Sequence, residues 1–150
     1  MLHSLFILLH VLAAVIWVGG MFFAYHCLRP TAVAVLEPPL RLALWRGVFG
    51  RFFPWVWASV IVLILSGQAM ILQMGGMAGV PIHVHVMLGI GYLMAALYAY
   101  LYFVPFAALK RAVMAGEWPV AGAALNRIRM LVHINLMLGL LNIVLVFVLR

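Results

Sequence analysis

The sequence predicts an all-α integral membrane protein: a four-helix transmembrane bundle with both termini outside and two basic cytoplasmic loops. Three observations carry this. Of 150 residues, 69% are hydrophobic and only 7% charged, whereas a soluble domain carries about 25% charged residues. Four apolar runs each exceed the roughly 20 residues needed to cross a hydrocarbon core of about 30 Å. The cations collect in the first and third connections between these runs, and positive connections stay cytoplasmic. Residues 1–150 therefore read as a single four-helix transmembrane domain.

The first span is expected from Ser4 to Leu28, closed by Arg29-Pro30. It lacks a basic start and a small-residue cleavage site, so it reads as a retained helix rather than a signal peptide. Pro38 to Arg51 alternates Leu40, Leu44, Val48 and Phe49 with Arg41 and Arg46. That pattern suits either a short amphipathic helix lying in the interface or an irregular basic loop. The second span runs from about Phe52 to Met74, with Pro54 in its first turn, where a missing N–H is tolerated. Gly75 to Pro81 makes a short uncharged turn. The third span runs from about Ile82 to Ala107 and the fourth from about Ile128 to Leu149.

The formal charge of +7 is a topology signal here, not a nucleic-acid footprint. Arg29, Arg41, Arg46 and Arg51 belong to one connection, and Lys110, Arg111, Arg127 and Arg129 to another; Arg150 is the one cation at the outer end. The lone Cys27 rules out an intramolecular disulfide. The only acids, Glu37 and Glu117, lie in connections. Paired-carboxylate catalysis within the membrane is thereby excluded, and no catalytic residue is assigned.

The histidines frame the functional question, because an imidazole in hydrocarbon usually marks a ligand, a proton path or a polar pairing. His3, His10, His83 and His85 fall in the outer half; His26 and His133 fall near the cytoplasmic face. His3, His10 and Trp17 are spaced by heptads and share one helical stripe. On the third helix His85 shares a face with Gly89, Tyr92, Ala96 and Ala99, and small residues favour close helix packing. This makes His85 the inward histidine; His83 either points roughly opposite, where the helix is regular, or sits in the headgroup region two residues past Pro81.

Two inward imidazoles from different helices at similar depth could hold b-type haem, with His10 and His85 as axial ligands and Trp17, Tyr92 and Phe22 lining the slot. His83 is an accessory metal candidate, and His26 with His133 a second site on the inner side. A different constellation uses sulfur. Met70, Met74 and Met77 follow the outer end of the second helix, one short turn from His83 and His85. Thioethers and imidazoles suit copper(I), while methionine also serves as an adaptable apolar filler. His26-Cys27 is a soft pair at the other end. Ser59, Ser66, Gln68, Gln73, Asn135 and Asn142 read as interhelical hydrogen-bonding residues.

The segment His10-Val11-Leu12-Ala13-Ala14-Val15-Ile16-Trp17-Val18-Gly19-Gly20 resembles the opening helix of the copper-resistance D (CopD) family, to which the membrane haem protein HemJ, a protoporphyrinogen oxidase, is related. His83-Val84-His85 is similar to a His-x-Lys segment of HemJ relatives, with His85 at the lysine position, and Arg127 follows Asn126 where they carry glutamate. The resemblance implies a bacterial inner-membrane protein with a four-helix core that binds b-type haem or copper. Two functions follow. One is a membrane haem oxidoreductase passing electrons between a quinone or small oxidant and a redox partner. The other is copper uptake or handling through the outer Met/His cluster. Membrane lipid is the expected surrounding, no nucleic-acid partner is expected, and assembly into an oligomer is compatible with either function.

Overall fold

A computed structural model describes residues 1–149; Arg150, the cation assigned to the outer end, lies outside the described residues. Every regular element among them is helical. Four helices are long and apolar enough to cross a membrane: α1 (Leu2–Val35), α2 (Pro38–Gln73), α3 (Ile82–Ala115) and α4 (Trp118–Val148). They pack as two antiparallel hairpins, α1 along α2 and α3 along α4, with α4 also touching α1 and α2. His3 bonds to Gln73, and Asn142 to the Met87 carbonyl. These bonds gather the start of α1, the end of α2, the start of α3 and the end of α4 at one end, called here the terminal end. The cations gather at the other, the basic end.

The helices are longer than the sequence suggests. At 34 residues α1 is about 51 Å long, well beyond a hydrocarbon core of about 30 Å. Arg29-Pro30 does not close it. One π turn over Ala24–Leu28 precedes Pro30, and the Arg29 N–H bonds the Ala24 carbonyl. Proline removes a donor from an α-helical ladder, and a local π turn re-routes the bonding so that the helix continues. Pro105 likewise sits in a π turn, Tyr102–Phe106, that carries α3 on to Ala115.

Pro38 to Arg51 is neither an interfacial helix nor a loop: it is the first part of α2, and Pro54 is an interior residue of that helix. The segment is held because Leu42, Trp45 and Phe49 are buried in the same core as Phe53 and Val56. Similarly α4 begins at Trp118, ten residues before the expected Ile128, and buries Ala121 and Ala124. The basic connections are thus helical extensions joined by very short links. Gly116 ends α3 at φ +71°, with Glu117 N–H on the Ala112 carbonyl and Gly116 N–H on Val113. Gly75 ends α2 at φ +94° with the same paired bonding to Ile71 and Leu72. A left-handed residue of this kind satisfies the last helical carbonyls while reversing the chain.

The core is aromatic toward the basic end. Phe53 stacks on Phe49 and meets Phe106 edge-on at 4.7 Å. Tyr98 packs edge-on against Trp17 and Trp57 and donates its hydroxyl to the Phe53 carbonyl at 3.0 Å. Two of the asparagines of α4 bond as the sequence suggests: Asn135 donates to the Met94 carbonyl and Asn142 to that of Met87, tying α4 to α3.

Candidate metal site at the terminal end

The terminal end opens a cavity of about 380 Å³ between the helices. Three of the histidines line it, His3 and His10 from α1 and His83 from α3, together with Met70 and Met74 from α2 and Met87 from α3. Tyr92 and Asn142 add polar atoms to the lining. Among the described residues no cluster of three or more His, Cys, Asp or Glu side chains stands ready to hold a metal ion. Any soft-metal site in this cavity therefore draws on thioethers.

Hydrogen bonding sets the state of two of these imidazoles. Ser66 is buried on α2 and gives its single hydroxyl proton to the Val62 carbonyl at 2.6 Å. Its oxygen can then only accept from His10 Nδ1, 2.9 Å away. His10 is accordingly the Nδ1–H tautomer, and Nε2 carries the free lone pair. His3 Nδ1 lies 2.8 Å from Gln73 Oε1, an acceptor, and the same assignment follows. Both α1 histidines on the cavity wall are oriented by acceptors on α2. This is how a histidine is prepared for metal ligation, since the partner on the far nitrogen fixes ring and tautomer. The sequence marks Ser66 and Gln73 as interhelical hydrogen-bonding residues, and their i, i+7 spacing, which repeats His3–His10 on α1, is the signal that pairs them.

The histidine pair named for haem does not converge. His10 faces α2: a Cβ on Gly67 would meet its ring at 3.5 Å. His85 is outside the lining, and its Nδ1 turns back to the Pro81 carbonyl of its own helix at 3.3 Å. His83, expected to point away, lines the cavity instead. The stripe of small residues does not mark the packed side of α3. Gly89 and Ala96 are exposed, while Met94, Tyr98 and Leu101 are buried. Trp17 is 3% exposed and belongs to the aromatic core rather than the cavity. Tyr92 does reach the cavity, and its hydroxyl accepts from Gln68 Nε2 at 2.9 Å. Phe22 is exposed and packs on His26.

Of the methionine path, Met70 and Met74 line the cavity; Met77 is exposed in the turn beyond it, and Met87 takes the third place. At the basic end His133 stacks on Tyr25 at 4.7 Å, and His26 meets the same ring edge-on at 5.2 Å. Tyr25 thus contacts both histidines of the second site. Cys27 is exposed.

The family model described as Copper resistance protein D matches residues 46–149, from within α2 to the end of α4. The chain belongs to the copper resistance protein D (CopD) family. No curated protein and no solved structure matches it. The matched segment contributes Ser66, Met70, Met74, His83 and Met87 to the site of this CopD-family membrane protein, while His3 and His10 come from the helix that precedes it.

Proposed function

We propose that this CopD-family protein handles copper(I) as cargo at the terminal-end cavity, in a bacterial inner membrane with that end outward. The observation that carries the reading is the pairing of oriented imidazoles with thioethers around one cavity. His3 and His10 each have Nδ1 engaged by an acceptor, and Met70, Met74 and Met87 line the same space. Soft thioether and borderline imidazole donors favour copper(I) over zinc or magnesium. Neither glutamate of the chain is among the lining residues, so the cavity offers no carboxylate side chain to a hard cation. Outward placement rests on the basic end remaining cytoplasmic.

In this reading Ser66 and Gln73 hold the rings so that Nε2 is presented without reorganisation. The methionines supply neutral, exchangeable ligands that let the ion leave again. The test is copper(I) binding by the purified protein in micelles, measured by competition with a chromophoric chelator. His10→Ala and the double substitution Met70→Leu, Met74→Leu should each weaken binding. Unchanged competition in both variants would remove the reading and leave the methionines as packing.

A further inference from the structure

The basic end holds a second cavity, of about 270 Å³, where the α1 extension past its π turn meets the starts of α2 and α4. Arg29, Arg41 and Arg129, one from each of these helices, line it, and Asn126 adds an amide. Neither acid of the chain is among its lining residues. Arg29 is braced over the Tyr25 ring at 5.3 Å. The deeper wall is apolar and includes Leu42, Trp45 and Phe49, all of them buried. Trp118 also lines the space. Arg29 is nineteen residues along α1 from His10, which places this cavity about 28 Å down the bundle, at headgroup height.

The geometry points to a binding site for the phosphate of an anionic phospholipid, with the three guanidiniums on the phosphodiester and the first acyl carbons against the Trp45 wall. Guanidinium forks match phosphate oxygens bidentately. Basic pockets between membrane helices on the cytoplasmic side take anionic headgroups, and tryptophan and tyrosine favour the same depth. Three cations from three helices around one space go beyond the even scatter that topology alone requires. Arg46, Arg51 and Arg111 are cations of the same end, exposed and outside the lining. The inference is independent of the copper reading, and the failure of either leaves the other standing.

The test uses the full chain in nanodiscs of phosphatidylcholine mixed with phosphatidylglycerol, released and weighed by native mass spectrometry. The wild-type protein should retain phosphatidylglycerol over phosphatidylcholine by roughly tenfold, as expected for several basic contacts. The triple substitution R29Q/R41Q/R129Q should abolish that preference, while R46Q/R51Q/R111Q, which removes the same charge outside the cavity, should keep it. Equal retention of the two lipids by the wild type overturns the proposal without reference to any variant. Equal loss in both triple variants overturns it too, because general surface charge then suffices. Displacement of the retained lipid by millimolar inorganic phosphate would assign the site to a soluble phosphate compound and overturn the lipid assignment; resistance to displacement supports it.

Discussion

His10 Nδ1 and Ser66 Oγ are 2.9 Å apart, and because the serine proton is committed to the Val62 carbonyl, the histidine is the donor. A side chain on α2 thereby decides which nitrogen of an α1 histidine carries the proton. Ser66→Ala removes that control and should weaken copper(I) binding by about 10- to 100-fold, the usual effect of losing such an outer partner. Chelator competition measures it. The bundle itself should lose only about 0.6 kcal/mol, typical of an interhelical hydrogen bond.

The third-helix histidines separate two placements. His83→Ala should reduce copper(I) binding, since His83 lines the cavity, whereas His85→Ala should leave it unchanged, since His85 bonds within its own helix. The reverse result would restore the face assignment made from the small-residue stripe. The wild-type protein with its His10→Ala and His85→Ala variants, expressed with ample haem and examined by reduced-minus-oxidised absorption, checks the electron-transfer alternative: no b-type signal dependent on His10 and His85 is expected.

Among the methionines, Met77→Leu should be silent and Met70→Leu combined with Met74→Leu should not. All three keep apolar volume, so packing changes little. Met77 lies outside the cavity that Met70 and Met74 line. Equal effects of the single and the double change would count against a defined site.

Stability should track burial at the core rather than polarity. Ile128 is fully buried on α4, and Ile128→Ala should cost about 2–5 kcal/mol through the cavity it leaves. Tyr98→Phe removes only the bond to the Phe53 carbonyl and should cost about 0.6 kcal/mol. Unfolding in mixed micelles compares the two.

Reporter fusions after Glu37 and Glu117 should report cytoplasm, and a fusion after Gly76 the outside. Eight of the nine Lys and Arg residues stand on the basic end of the bundle, and that bias orients membrane helices. Opposite signals would invert the sides assigned to both cavities.

Four spans, a basic end and an end rich in histidine and methionine were legible in the amino-acid sequence alone. Hydropathy and charge act residue by residue against the bilayer, so no knowledge of neighbours is needed to read them. The copper-type family was legible too, from the His10 to Gly20 stretch, and the match over residues 46–149 establishes it. Only the tertiary structure decided how far the helices run, because π turns before Pro30 and around Pro105, together with burial of Leu42, Trp45 and Phe49, override the local stop signals. It also decided which histidine of α3 meets the cavity. Residues two apart on a helix differ by about 200° in direction, and which of the two directions is inward depends on where the neighbouring helices lie. Here α3 turns Met94, Tyr98 and Leu101 into the core and leaves Gly89 and Ala96 outside. The three-arginine cavity was hidden for the same reason: it is assembled across helices, and no spacing within one helix announces it.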